Sequence, residues 1–109
     1  MRVFKSSSVA LLVLGALCSN AQAAVEIQWW HAMTGPLNDK VNQLANDFNA
    51  SQNDYKIVPV FKGNYDETLS AGIAAFRAGN APAILQVFEV GTATMMHANG
   101  AIKPVAALM

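Results

Sequence analysis

The sequence predicts an α/β fold in which helices cover both faces of a parallel three-stranded sheet with the strand order 2-1-3. Strand and helix patterns alternate along the chain, which is typical of βαβ units with right-handed crossovers. Pro59 lies within the second strand pattern, and because proline lacks the backbone donor that a central strand needs, that strand is expected at an edge. In this order the two crossovers run in opposite directions, which places the helices on opposite faces of the sheet.

The start of the chain has the pattern of a secretory signal peptide. Arg2 and Lys5 form a positive n-region, residues 9–17 form an apolar h-region, and Ala21-Gln22-Ala23 matches the A-x-A pattern that signal peptidase accepts. The apolar run is shorter than the roughly 20 residues that a membrane-spanning helix needs. We therefore expect a signal peptide over residues 1–23, with cleavage after Ala23.

The charge and cysteine content of residues 24–109 exclude several functions. Five basic and seven acidic side chains give a formal charge of −2 without a basic cluster, which argues against a nucleic-acid partner or an anionic membrane surface. Cys18, the only cysteine, falls in the expected signal peptide, so no disulfide is expected after cleavage. No nucleophile elbow, phosphate-cradling loop or metal motif occurs, which argues against an enzyme.

The first half of the exported chain predicts a strand, a helix and a second strand. Val25–Trp30 is mostly apolar or aromatic and is followed by a loop over 31–35. Pro36 suits the first position of a helix, with Thr34 as a possible cap. Tyr55–Phe61 predicts the second strand. The helix carries one apolar stripe, formed by Leu37, Val41, Leu44 and Phe48.

The second helix has both a start signal and a stop signal. Asn64 can cap a helix that begins at Tyr65, and the carboxylate of Glu67 can bond back to the amide of the cap. Gly79 can adopt the left-handed conformation that ends a helix, and Pro82 prevents a restart. The apolar residues at helical spacing are Leu69, Ile73 and Phe76.

The third strand is predicted over 83–90, where apolar residues occupy both faces, as in a parallel strand buried on both sides. Glu89 is its last polar residue, and the residues from Gly91 to Thr94 form the loop that follows. A carboxylate directly after a buried strand is found at a site more often than in a core. A short helix is predicted over 94–98.

A ligand site is predicted at the carboxyl edge of this sheet. A switch point falls between strands 1 and 3, and open α/β sheets bind ligands outside the carboxyl ends of strands at such a point. His31, Asn64, Tyr65 and Glu89 lie at those ends. Glu89 can accept hydrogen bonds from two neighbouring hydroxyls of a polyol and would repel a phosphate. The alternative is a strand-end carboxylate bonded to local amides.

The other candidate side chains each have a structural alternative. Tyr65 offers a phenol that can donate to a ligand oxygen, or it packs on its own lobe as a helix-start residue. Trp30 and His31 line the same crevice, although one of Trp29 and Trp30 is expected in the core. No metal or cofactor is predicted. A zinc site is chemically conceivable from three residues without close spacing: His31, His97 and Glu89.

Four segments carry a resemblance to known proteins: KGNY at 62–65, LSAGIAAFR at 69–77, GNAPAILQV at 79–87 and EVGTATMM at 89–96. They closely resemble the N-terminal part of the periplasmic solute-binding proteins of ABC uptake systems. Within this family, the resemblance is to the receptors for sn-glycerol-3-phosphate. The resemblance runs from about Ile27 to Pro104, and the members of the family are several times longer than this chain. It implies a type II periplasmic-binding-protein fold, with residues 24–109 as a partial N-terminal lobe.

The resemblance also implies a function. Tyr65 and Glu89 fall on positions of the family that contact ligand, whereas the residues that bind the phosphate lie mostly in later segments. A monomeric periplasmic receptor would capture sn-glycerol-3-phosphate, or glycerophosphodiesters, and deliver it to the permease subunits of the transporter. Two alternatives stay open: a receptor for another polyol or sugar of the same family, and a truncated chain without binding activity.

Overall fold

The computed structural model describes residues 23–109, so residues 1–22 of the expected signal peptide lie outside it. The three strands are parallel and lie in the order β2-β1-β3, which confirms the predicted fold class and strand order. Within the described range, no helix combines the length and the apolar character needed to cross a membrane. The elements are β1 (Val25–His31), α1 (Pro36–Ser51), β2 (Tyr55–Phe61), α2 (Tyr65–Arg77), β3 (Ile84–Leu85), α3 (Glu89–His97) and a 3-10 helix (Val105–Ala107).

Side-chain amides close the outer edge of β2. The Oε1 atom of Gln52 accepts from the N–H of Tyr55 at 2.8 Å, and its Nε2 donates to the carbonyl of Tyr55 at 2.7 Å. Asn49 makes the same pair of bonds to Ile57, at 2.7 and 2.9 Å. The next residue with the same orientation is Pro59, which has no N–H to satisfy. Pro59 therefore lies at a sheet edge, as predicted.

The helix α1 begins at Pro36, as predicted, but Gly35 rather than Thr34 precedes the first turn, and no side chain caps it. Val41 and Ala45 are buried. Only part of the predicted apolar stripe is therefore in the core. The other members of the stripe remain exposed: Leu37 at 60%, Leu44 at 54% and Phe48 at 42%.

The helix α2 begins and ends where the sequence predicts. Asn64 accepts a bond from the N–H of Glu67 at 2.9 Å, and the Glu67 carboxylate accepts one from the N–H of Asn64 at 2.8 Å. These two bonds form the capping box that starts the helix at Tyr65. Beyond the helix, Gly79 has a φ of +75°, which is the left-handed conformation expected of it.

Small residues bring α2 close to the sheet. The buried positions of the helix are Thr68, Gly72 and Ala75, spaced along one face. A Cβ at Gly72 would collide with the side chain of Leu85 on β3. The predicted stripe of larger residues borders this contact instead of forming it, and Phe76 keeps 37% of its surface exposed. The close approach of the helix explains why the small residues are the buried ones.

The third strand is much shorter than predicted, so the predicted bounds 83–90 are wrong. Only Ile84–Leu85 pairs with β1 as strand, and the last bond runs from the N–H of Gln86 to the carbonyl of Trp30 at 2.9 Å. β1 ends one residue later at His31, so the chain after Gln86 has no strand to pair with. It turns into α3, which begins at Glu89 and replaces both the predicted loop and the predicted helix over 94–98.

Candidate functional site

Backbone and side-chain bonds tie the segments after the three strands together at the carboxyl edge of the sheet. The N–H of Lys62, directly after β2, donates to the carbonyl of His31 at 3.0 Å. The N–H of Ala32, after β1, donates to Oε1 of Gln86 at 2.9 Å, and Gln86 follows β3. The role of Gln86 cannot be predicted from the sequence, because an amide bridge between residues far apart in the chain leaves no local pattern.

His31 is inside this edge and not on its surface. It is the last residue of β1 rather than part of a loop, and only 1% of its surface is exposed. Its ring lies 6.2 Å from that of Trp29 and 6.1 Å from that of Phe61, between centroids. The N–H of Met33 donates to Nδ1 of His31 at 3.3 Å. Burial lowers the pKa of the imidazole, so His31 supports the turn as a neutral group; its contact with a ligand stays a prediction.

The two tryptophans are both half-buried, so the expectation that one of them lies in the core is wrong. Trp29 meets His31 edge to face. The Nε1 atom of Trp30 donates to Oε1 of Gln28 at 2.8 Å, and the Nζ atom of Lys62 lies 3.8 Å from the centroid of the Trp30 ring. One face of Trp30 therefore holds a lysine, which sequence reasoning also missed.

Tyr65 and Glu89 are brought to the same region by an aromatic stack. The ring of Tyr65, at the start of α2, lies on the ring of Phe88 with centroids 5.5 Å apart and an angle of 26° between the planes. Phe88 directly precedes Glu89, and both Tyr65 and Glu89 are exposed. The stack leaves 46% of the Tyr65 surface available to a partner.

Glu89 occupies the first turn of α3 and not the end of a strand. The positive end of a helix dipole favours a carboxylate at this position, because the first N–H groups have no partner within the helix. The residue is exposed and directly follows Phe88, the partner of Tyr65 in the stack. Glu89 therefore belongs to α3 and not to the predicted strand, but it still lies at the carboxyl edge of the sheet.

The structure does not bring together the three residues of the conceivable zinc site. His31 is buried at the end of β1, whereas His97 lines an apolar cavity of about 270 Å³ beside Ile73, Phe76 and Met95. Among residues 23–109, no group of three histidine, cysteine, aspartate or glutamate side chains is placed to hold a metal ion.

An open parallel sheet in the order 2-1-3, with polar and aromatic side chains gathered at its carboxyl edge, is consistent with a partial lobe of a periplasmic solute-binding protein. The particular relatives are sn-glycerol-3-phosphate-binding periplasmic proteins. The chain is 69% identical to that of Agrobacterium fabrum over 88 residues, which are 81% of this chain and 20% of the relative. It is 59% identical to that of Yersinia enterocolitica over 101 residues, which are 93% of this chain and 23% of the relative.

A third relative, the sn-glycerol-3-phosphate-binding periplasmic protein of Escherichia coli, is 64% identical over 99 residues, or 90% of this chain and 22% of the relative. These similarities confirm the resemblance stated above. No model of a protein family matches the chain. The chain spans about a fifth to a quarter of the length of the curated relatives it matches, and these relatives are named as binding proteins, not as enzymes.

Proposed function

We propose that this chain supplies part of one lobe of the substrate-binding component of an ABC importer that captures sn-glycerol-3-phosphate. The observation that carries the proposal is the stack of Tyr65 on Phe88, the residue directly before the exposed Glu89, at the carboxyl edge of the sheet. The names of the curated relatives, each an sn-glycerol-3-phosphate-binding periplasmic protein, support the choice of ligand.

The chemistry of the two side chains suits the glycerol end of this ligand. A carboxylate accepts charge-assisted hydrogen bonds from two neighbouring hydroxyls, and it repels a phosphate. The phenol of Tyr65 donates to a ligand oxygen while its ring packs against carbon. Glu89 and Tyr65 then form one wall of the site, and a second wall closes on the ligand by a hinge motion that the ligand stabilises by touching both walls.

The proposal includes the route by which the protein reaches its place of action. Residues 1–23 direct export and are removed after Ala23, and residues 24–109 act in the periplasm as part of a monomeric receptor. The closed, loaded form is presented to the permease subunits in the membrane. The chain performs no chemistry on the ligand, since binding and release are the whole of its task.

The test uses a chimera in which residues 24–109 of this chain replace the matching segment of the Escherichia coli relative. Calorimetry measures the dissociation constant for sn-glycerol-3-phosphate in the chimera and in its Glu89→Ala variant. We expect binding by the chimera and a loss of about tenfold or more in the variant, because a hydrogen bond to a charged group contributes about 1.5–3 kcal/mol. Asp66→Asn, in the first turn of α2, is the matched control and should bind like the parent.

Two results would contradict the proposal. A chimera that folds but does not bind sn-glycerol-3-phosphate would contradict the proposed function. An unchanged affinity in Glu89→Ala would show that Glu89 is not part of the site. A carboxylate recognises any pair of neighbouring hydroxyls, so competition with a panel of sugars and polyols tests the alternative ligand. Displacement by a sugar more strongly than by sn-glycerol-3-phosphate would favour a receptor of the same family for that sugar.

A further inference from the structure

Lys62 holds a positive charge at the carboxyl edge of the sheet. It is the first residue after β2, and its N–H continues the sheet by donating to the carbonyl of His31 at 3.0 Å. Side chains alternate along a strand, and Trp30 pairs with Val60, so Lys62 emerges on the face of Trp30. Its Nζ atom lies 3.8 Å from the centroid of that ring, a geometry in which the ring attracts the ammonium.

The ring restrains the ammonium of Lys62 without neutralising it. The ion pair found within residues 23–109 joins Lys56 to Glu26 at 3.3 Å, toward the opposite end of the same strands. A lysine ammonium has three donors, and the face of an aromatic ring leaves donors free for an anion. Lys62 is also half-buried, so part of its conformational freedom is already lost before a ligand arrives.

The carboxyl edge therefore carries a positive charge on its β2 side and a negative charge on its β3 side. β2 and β3 flank β1, so Lys62 and Glu89 follow strands that are two strand spacings apart, roughly 10 Å. Tyr65 bridges the two sides, since it begins at the β2 end and stacks on Phe88 at the β3 end. A ligand with hydroxyls at one end and an anionic group at the other can enter this edge in one favourable orientation.

We propose that Lys62, held over the face of Trp30, orients the ligand by attracting its phosphate to the β2 side while Glu89 accepts from its hydroxyls on the β3 side. The inference rests on the proposed function and adds to it a residue that selects for the charge of the ligand. Trp30 is a positioning residue in this arrangement, because it acts through the ammonium that it holds.

The experiment is calorimetry on the chimera defined above and on three variants, with sn-glycerol-3-phosphate and with the zwitterionic glycerophosphocholine. Lys62→Met keeps the apolar stem over Trp30, Lys62→Arg keeps the charge, and Lys56→Ala is the matched control because it removes a lysine from an exposed ion pair. We expect Lys62→Met to lower the affinity for sn-glycerol-3-phosphate about tenfold and the affinity for glycerophosphocholine less, since a phosphate monoester carries more negative charge than a diester. Lys62→Arg should restore most of the affinity, and Lys56→Ala should change it less than about twofold.

The dependence of affinity on salt separates attraction of charge from a change in structure. The parent should lose affinity as salt rises, and Lys62→Met should show a smaller loss. Trp30→Leu should also weaken binding, but it should add little in a chain that already carries Lys62→Met, because the two residues act as a unit.

Each outcome decides the inference. A parent chimera that binds, with Lys62→Met indistinguishable from Lys56→Ala in affinity and salt dependence, would overturn the role of Lys62 and leave the proposed function standing. A folded parent that does not bind would overturn the proposed function and this inference with it. Equal losses for both ligands in Lys62→Met, with no change in salt dependence, would assign Lys62 to structure and overturn the inference as well.

Discussion

The ring of Tyr65 lies stacked on the ring of Phe88, with centroids 5.5 Å apart, and this contact joins the first residue of α2 to the residue that precedes α3. The two helices begin after different strands, so neither start controls the position of the other through the backbone alone. The stack therefore joins the start of α2 to the residue directly before Glu89, and it gives Tyr65 a structural role beside its proposed contact with ligand.

Two substitutions at Tyr65 should separate these roles. Tyr65→Phe keeps the stack and loses the hydroxyl, so we expect an unchanged melting temperature in the chimera and an affinity for sn-glycerol-3-phosphate that falls about five- to tenfold, the effect of one lost hydrogen bond. Tyr65→Ala removes the ring as well and should lower both the affinity and the melting temperature. If Tyr65→Phe binds as well as the parent, the hydroxyl takes no part in binding.

Gly72→Ala should destabilise the fold. The added methyl group meets the side chain of Leu85, and overpacking of this kind costs about 1–3 kcal/mol. Denaturant unfolding of the chimera measures the loss. Ser70→Ala is an exposed substitution on the same helix and should be close to neutral. A neutral or stabilising Gly72→Ala would mean that α2 can move away from the sheet without cost.

Asn49→Ala should open the edge of β2. The variant leaves the N–H and the carbonyl of Ile57 without their amide partner, which we expect to cost about 1–3 kcal/mol and to favour pairing between chains. Light scattering during heating and denaturant unfolding measure the two effects. Asn46→Ala removes an exposed amide from the same helix and is the control. Equal scattering from both variants would show that Asn49 does not protect this edge.

Acidification should weaken the fold through His31. Burial lowers the pKa of this imidazole below the value of 6.5 that it has in an unfolded chain. The unfolded state then binds the proton first, so the stability conferred by the neutral ring is fully present above pH 6.5 and is lost as the pH falls towards the lower pKa of the folded state.

Unfolding free energies between pH 7.5 and pH 5 test this prediction. His31→Gln should reduce the difference in stability between the two conditions, whereas His97→Gln, at an exposed position, should preserve it. A chimera with the same loss of stability in both variants would place the proton uptake elsewhere.

Residues 24–109 expressed alone should unfold with little cooperativity. Only four apolar side chains in the described range are buried, namely Val41, Ala45, Ala75 and Met95, and large apolar residues such as Leu37 and Val90 remain exposed. We expect a broad melting transition and aggregation. The same behaviour is expected if the chain is a truncated product without binding activity. A sharp cooperative melt would contradict this expectation and would allow binding to be measured on the segment itself.

Local chemistry accounts for the parts of the fold that could be predicted. Asn64 and Glu67 satisfy each other's backbone groups within four residues, and Gly79 needs no distant partner to end a helix. Pro59 predicts an edge strand because its missing donor is a property of the residue itself. The predicted length of the third strand was wrong because that length depends on where β1 ends. The sequence after Leu85 does not indicate where β1 ends.

The sequence by itself determined the class of fold, the order of the strands, the start and end of α2 and the edge at which Tyr65 and Glu89 lie, since each follows from a short pattern of turn, cap and apolar residues. Only the tertiary structure decided which surfaces are buried and that Gln86 joins the ends of two strands. It also decided that the ring of Tyr65 stacks on Phe88 and that the ammonium of Lys62 lies over the ring of Trp30. These contacts join residues that are distant in the chain, and their geometry exists only once the strands are aligned in one sheet.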